Sequence, residues 1–290
     1  SLTLQRGEAL GVVGESGCGK SSLARALLRL GPLSAAALRF DGSDLLALDA
    51  EPLRALRRRM QFVSQDAGAS LTPHCRVREL IGEGIVVHGL AQGSEIAKRV
   101  DAALERFELD ARIADAVPGE LSSGQRQRVA LARSLAVEPD LIVCDEPVAS
   151  LDAALRAEVL AHLDALRRER GLAIILISHD LDAVRRIADR IAVMYHGRFV
   201  ETGSAVDVAA TPLMPYTQAL LAAEPGAVAA SRRRVISGQV PSGVSRITGC
   251  PFFPRCEDSR KDAACQRELP PLREIGPGRA AACVKVDIRL

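Results

Sequence analysis

Ala9-Leu10-Gly11-Val12-Val13-Gly14-Glu15-Ser16-Gly17-Cys18-Gly19-Lys20-Ser21-Ser22 is the stretch on which the reading of this chain turns. Ala9 to Val13 is a short apolar run that stops at a glycine-rich turn, and from Ser22 to Leu30 the apolar residues recur at helical spacing. The order is strand, loop, helix. Gly14 to Ser21 fits the pattern G-x-x-x-x-G-K-S/T, and it lies between a strand and a helix, where the chemistry of phosphate binding needs it. Glycines let successive backbone N–H groups wrap phosphate oxygens, and the helix N-terminus favours their negative charge. Lys20 would reach the outer phosphates, and the Ser21 hydroxyl would face Mg²⁺. Gly14, Ser16, Gly17, Cys18, Gly19, Lys20, Ser21 and Ser22 are therefore the candidate nucleotide-binding residues, with Cys18 as a small filler rather than a redox centre.

Further along, Leu141 to Cys144 and Leu172 to Ser178 read as buried strands, each too short and too apolar for a surface helix. Between them Leu155, Val159, Leu160, Leu163 and Leu166 recur at helical spacing, and Gly171 closes that helix as a C-cap. Strands alternating with helices imply an α/β fold with a parallel sheet covered on both faces. The strand from Leu141 ends in Asp145 and Glu146, which resembles a Walker B strand: Asp145 would hold Mg²⁺ through water and Glu146 would polarise the attacking water. Taken alone, an acidic pair at a strand end is more often a turn or a cap. The phosphate loop upstream gives it its value.

Composition narrows the class. The chain has 290 residues, 48% of them apolar, which is ample for a buried core. A formal charge of +2 gives no chain-wide electrostatic case for nucleic acid. From Arg232 onward there are 12 basic and 6 acidic residues, a split that hints at a separate tail, although a solvated basic surface is the more common meaning of such a split. No apolar run approaches the roughly 20 residues a membrane span needs. SLTLQRGEAL has neither an initiator Met nor the basic and apolar regions of a signal peptide, so the chain is expected to begin inside a longer protein. Residues from about Gly68 to Val137 are rich in Ala, Leu, Glu and Arg and read as a helical insertion, whereas His196-Gly197 marks a tight hairpin turn. From Thr211 the composition shifts to Pro, Arg and Cys, as in a loop-rich appendage.

Leu121-Ser122-Ser123-Gly124-Gln125 resembles the LSGGQ signature of the ABC ATPases and opens a helix running through Arg126 to Val137. The resemblance continues in order over residues 1 to about 205. Gln65 matches the Q-loop glutamine that touches Mg²⁺, Ser150-Leu151-Asp152 the D-loop, and His179 the switch histidine at the γ-phosphate. It implies a P-loop NTPase (RecA-like) core over 1–67 and 138–210, a helical signature subdomain over 68–137, and a C-terminal extension over 211–290. Glu146, His179 and Gln65 would be catalytic. Ser122, Gly124, Gln125 and Asp152 would complete an ATP held by a partner ATPase domain, and Ser21, Gln65 and Asp145 would hold Mg²⁺. Two departures matter. Ser123 stands where the family usually has Gly, so a positive φ there would strain the loop. The aromatic residue that stacks on adenine lies further upstream in the family than this chain reaches.

Gln65-Asp66 with Ser70-Leu71-Thr72-Pro73, the stretch Thr211-Pro212-Leu213-Met214-Pro215-Tyr216-Thr217-Gln218-Ala219-Leu220-Leu221, and Cys250-Pro251-Phe252-Phe253-Pro254-Arg255-Cys256 resemble three markers of oligopeptide, dipeptide and nickel import ATPases. Peptide import is the leading expectation. Nickel or glutathione import, and a soluble ABC ATPase outside transport, are the alternatives. The implied partners are a second ABC ATPase domain (a homologous subunit or the other half of a fused chain), two transmembrane permease subunits, and indirectly an extracytoplasmic peptide-binding protein, with no nucleic acid. A groove beside Gln65 and residues 68–90 would receive a short permease helix. The place would be the cytoplasmic face of the inner membrane. Cys250, Cys256, Cys265 and Cys283 follow C-x₅-C-x₈-C-x₁₇-C, a spacing that does not choose between an iron–sulfur cluster and zinc. The resemblance to peptide-transporter ATPases, some of which carry a 4Fe-4S cluster, implies the cluster, with four unligated thiols or Zn²⁺ as the alternatives.

Overall fold

A computed structural model describes residues 2–31, 33–223 and 248–286. In chain order its strands are β1 (Ala9–Val13), β2 (Arg39–Phe40), β3 (Ser43–Asp44), β4 (Met60–Val63), β5 (Leu141–Asp145), β6 (Ala173–Ser178), β7 (Arg190–Tyr195), β8 (Arg198–Ser204), β9 (Arg273–Gly276) and β10 (Arg279–Ala281). The chain divides into two compact units, Ser1–Ala9 with Ser21–Leu176, and Leu10–Lys20 with Ile177–Leu290.

In the first unit β4 and β5 run parallel, with Met60 opposite Leu141 and Val63 opposite Cys144. Every residue of β5 after Leu141 is buried, which is why the strand reads as a continuous apolar run rather than an alternating one. Between β4 and β5 lie the helices Ala67–Ser70, Val77–Val87, Ser94–Arg106 and Ser123–Leu135 and no strand. After β5 the 18-residue helix Ala153–Arg170 buries Val159, Leu160, Leu163 and Leu166 on one face. Those four side chains contribute on the order of 8 kcal/mol of apolar burial, an upper figure because a real unfolded chain already hides part of that surface. The helix stops at Gly171, whose left-handed φ of 68° lets its N–H reach the Arg167 carbonyl. Leu163 has no exposed surface, so Leu163→Ala would remove about 2–5 kcal/mol by loss of transfer energy and the cavity left behind.

In the second unit β1 runs parallel to β7, with Leu10 opposite Arg190 and Val13 opposite Val193. β7 turns back antiparallel into β8 through His196 and Gly197, with φ of 47° and 74°. Two consecutive positive φ angles match the right-handed twist of the strands they join. The extension adds β10 against β8 and β9 against β10, two short strands hidden in the sequence by the Gly276-Pro277-Gly278 turn and their length of three and four residues. Glu201 on β8 fastens this region. Fully buried, its carboxylate accepts the N–H groups of Leu213 at 2.9 Å and Met214 at 2.8 Å, and Arg279 lies 3.3 Å away. Met214 in turn precedes the helix Pro215–Ala222, whose first residue lacks the N–H that a helix start leaves without an intrahelical partner.

Candidate active site

The second unit holds most of the phosphate loop. Gly14 follows β1 directly and is buried; a β-carbon there would run into the backbone carbonyl of Met194 on β7 and lie 2.9 Å from the Cys18 sulfur. Gly17 and Gly19 take φ of 80° and 105°, and at Gly17 nothing lies within 4 Å of where a β-carbon would be. Lys20 opens the helix Lys20–Leu27, on whose first turn Ser21 and Ser22 stand. Its ammonium is 8% exposed and donates to the carbonyls of Gly14 at 2.7 Å and Glu15 at 3.0 Å. No carboxylate among the described residues pairs with it. A buried cation facing two carbonyl oxygens and, at 4.0 Å, the neutral Cys18 sulfur is left in want of an anion, and this is the observation that fits the loop to a polyphosphate.

Cys18 is 2% exposed, and burial pushes its thiol above the ordinary range although Lys20 pulls the other way. It stays neutral and serves as filler, while its carbonyl accepts the Gly197 N–H at 2.8 Å. Ser16 is exposed, as is His179 immediately after β6. The Ser178 hydroxyl accepts the Asp180 N–H at 3.0 Å, and Asp180 caps the helix Leu181–Ile187 through the Ala183 N–H at 2.9 Å, which fixes the backbone on either side of His179.

Sequence reasoning did not find what grips Glu15. The hydroxyl of Tyr216, a fully buried residue, accepts the Glu15 N–H at 2.9 Å. Arg255 forks onto the Glu15 carboxylate with bonds of 2.7 and 2.8 Å. Arg255 itself is 4% exposed along its side chain, hydrogen-bonded at 3.3 Å to the Tyr195 hydroxyl and stacked near the rings of Tyr195 and Phe252. Both residues lie in stretches that the sequence marks only as family markers; nothing in a one-dimensional pattern pairs positions 240 apart.

The first unit carries the acidic residues. The register of β4 on β5 brings Gln65, two residues past Val63, to the same sheet edge as Asp145 and Glu146. Ligands of open α/β sheets gather beyond such carboxyl ends. Asp145 and Glu146 are 4% and 7% exposed, and Gln65 is exposed. Glu146 has a φ of 52°, a left-handed backbone that costs a residue with a side chain about 1–3 kcal/mol and is retained where a site needs it. Ser122 caps the helix Ser123–Leu135: its hydroxyl accepts the Gln125 N–H at 3.2 Å and the Gln125 side chain accepts the Ser122 N–H at 2.8 Å. Ser123 is not among the residues of positive φ, because it sits in the helical first turn, so the strain expected from its replacing Gly does not arise. Gly124 packs toward Leu151, and Asp152 caps Ala153–Arg170 through the Leu155 N–H at 3.0 Å.

Cys250, Cys256, Cys265 and Cys283 line one small recess of about 20 Å³ in the extension, beside Phe252 and Phe253. The Cys250 N–H donates to the Cys265 carbonyl at 2.8 Å. Burial pushes the Cys250 thiol up to about 11, and burial raises Cys256 and Cys283 as well. All four are free thiols, and among the described residues no three His, Cys, Asp or Glu side chains are grouped as metal ligands would be.

Comparison with known proteins agrees with this geometry. Residues 1–149 match the model of the ABC transporter family, and residues 200–265 that of the oligopeptide/dipeptide transporter C-terminal region. A Brucella ovis protein whose name assigns it to peptide import as an ATP-binding protein is 41% identical over 290 residues, 99% of this chain and 91% of that one. A second such protein, from Brucella abortus, is 42% identical over 98% of this chain and 84% of its own length. Among solved structures, a dimeric ATP-binding cassette with ADP and Pi superposes with a TM-score of 0.67 at 29% identity, covering 70% of this chain and 88% of that one. The cbiO1 protein of Clostridium perfringens, part of an ABC transporter complex, gives 0.64 at 31% identity over 72% and 82%. With its phosphate loop, strand-end acids and capped signature helix in the family's order, the chain belongs to the ABC transporter family, as an ATP-hydrolysing cassette.

Proposed function

We propose that this cassette powers the import of oligopeptides or dipeptides. The observation that carries the reading is the extension: the match to the oligopeptide/dipeptide transporter C-terminal region covers Tyr216 and Arg255, and those two side chains hold Glu15 of the phosphate loop. In this reading Lys20 and the loop N–H groups bind the ATP phosphates. Ser21, Asp145 and Gln65 would hold Mg²⁺, which when bound would supply charge to offset that of the β- and γ-phosphates. Glu146 orients the attacking water and His179 faces the γ-phosphate. Ser122, Gly124, Gln125 and Asp152 serve the ATP of a second cassette, so neither site works alone. The organisation is a RecA-like core over 1–67 and 138–210, a signature subdomain over 68–137 and the extension beyond 211.

The membrane partners are two permease subunits, supplied with peptide by an extracytoplasmic binding protein, and the cassette sits at the cytoplasmic face. Among the described residues no helix is long and apolar enough to cross a membrane, so passage of the peptide falls to other subunits. A recess of about 720 Å³ on the first unit, lined by Gly82, Val86, Val87, Ile96 and Val100, offers a permease helix an apolar seat, with Val86 and Val87 57% and 52% exposed. The four cysteines of the extension hold a 4Fe-4S cluster. What supports the reading is that the four cysteines line one recess, although as placed no three are grouped as ligands and the thiols would have to draw together around the cluster, and that a segment with few apolar side chains gains a centre in place of a core. The role is structural or redox-sensing.

Reconstitution with the neighbouring permease and binding protein tests the function. ATP turnover stimulated by di- or oligopeptide supports it; stimulation by nickel or glutathione alone, or co-purification only with nucleic acid, refutes it. For the cluster, anaerobically purified protein should be brown with about four iron and four sulfide per chain, and Cys265→Ser should lower both. One zinc and no sulfide in colourless protein would replace the cluster by zinc.

A further inference from the structure

Glu15 places a carboxylate inside a loop whose task is to bind polyanions. The backbone around it is already committed, its N–H to Tyr216 and its carbonyl to Lys20. Its side chain is 23% exposed and one peptide step from Gly14, whose carbonyl also holds the Lys20 ammonium. Left to itself, such a carboxylate would compete with phosphate for Lys20 and repel the nucleotide. In this chain it is turned away and neutralised by Arg255, which makes two parallel bonds to it from the 3₁₀ turn Phe253–Arg255. Arg255 cannot drift, because it is 4% exposed, bonded to Tyr195 and flanked by the Tyr195 and Phe252 rings.

We propose that Arg255 of the C-terminal extension is a positioning residue for ATP binding, which keeps the Glu15 charge off Lys20 and so leaves the phosphate loop receptive to the nucleotide. Bidentate guanidinium–carboxylate pairing in a partly dry site supplies both the direction and the neutralisation, and lysine reproduces only the charge. The inference rests on Gly14–Ser22 being the phosphate loop.

The test is equilibrium binding of MgATP to the full chain, with KM and kcat of the assembled transporter, for four variants whose folding is checked by thermal melting. Arg255→Met keeps the bulk and removes the charge; it should weaken ATP binding and raise KM about tenfold, the effect of one uncompensated unit charge near the phosphates, with kcat within about twofold. Arg255→Lys should fall between it and the parent. Arg255→Met with Glu15→Gln should recover affinity to within about threefold of the parent, because the liability is the Glu15 charge; a purely structural role for Arg255 predicts no recovery. If Arg255→Met does not fold, Arg255→Lys and the double variant decide by the same criterion. Affinity of Arg255→Met within twofold of the parent, or a double variant as weak as Arg255→Met, overturns the proposal. Lys20→Ala separates the two failures: unchanged ATP binding in that variant would sink the phosphate-loop reading itself, whereas lost binding there with an indifferent Arg255→Met sinks only the positioning role.

Discussion

Replacing Gly14 by alanine adds one carbon to the most crowded point of the phosphate loop. That carbon would overlap the Met194 carbonyl oxygen, a backbone atom in β7 that cannot rotate away, and would lie 2.9 Å from the Cys18 sulfur and 3.2 Å from the Met194 carbonyl carbon. The loop would have to retreat from β7, loosening the contacts of a residue that is buried between two strands. Overpacking of this kind costs about 1–3 kcal/mol, and the φ of 156° adds about 1 kcal/mol for a residue with a side chain, so Gly14→Ala should lose about 2–4 kcal/mol. Gly17→Ala is the matched control: its φ of 80° brings the backbone strain but its β-carbon meets nothing, so it should lose only about 1–2 kcal/mol. At about 2–4 °C per kcal/mol for a chain of this size, nucleotide-free thermal melting should drop by about 4–16 °C for Gly14→Ala and by about half of that for Gly17→Ala. A Gly14→Ala melting point within about 2 °C of the parent, or a larger drop for Gly17→Ala, would refute the close approach of loop and strand as the reason for glycine at position 14.

Glu146→Gln should bind MgATP as the parent does while hydrolysing it at least about 100-fold more slowly, provided both cassettes of the dimer carry the change; undiminished turnover would remove Glu146 from the chemistry. Glu201→Ala should destabilise by about 3–5 kcal/mol, because it leaves two backbone N–H groups without their acceptor and takes the carboxylate from Arg279, which keeps only its bonds to Thr211 and Asp207; a melting point equal to the parent's would contradict the anchoring of the extension. The Cys18 and Cys144 thiols are raised by burial, and a folded pKa above the unfolded value of about 8.5 stabilises fully below pH 8.5 and less as pH rises through the folded pKa. Native protein at pH 8 should therefore leave both unalkylated by iodoacetamide while urea-unfolded protein reacts at both, as peptide mass mapping would show; rapid labelling of native Cys18 would contradict its burial.

Sequence alone went far where chemistry and local structure share one stretch. The run from Ala9 to Ser22 states a strand, a turn and a helix and also states what the turn binds, and Gly171 closes its helix where a left-handed residue is required. The β7–β8 hairpin was legible because its turn needs two residues of positive φ and His196-Gly197 supplies them. What stayed hidden depends on pairs distant in the chain. Arg255 and Tyr216 look like members of a motif until folding brings them to Glu15, and β9 and β10 are too short to show a period. Ser123 shows the opposite error, in which a departure from a motif suggested strain that the helical backbone at that position never asks for.

The bond between Glu15 and Arg255 also sets an order of events during synthesis. The two partners are separated by 240 residues, and translation at about 5–20 residues per second puts roughly 12–48 s between them. Throughout that interval Lys20 and the Glu15 carboxylate coexist on the nascent chain with no guanidinium to part them. If Arg255 positions Glu15 as proposed, a cassette still on the ribosome would bind ATP weakly and would become competent only after the extension has emerged and docked.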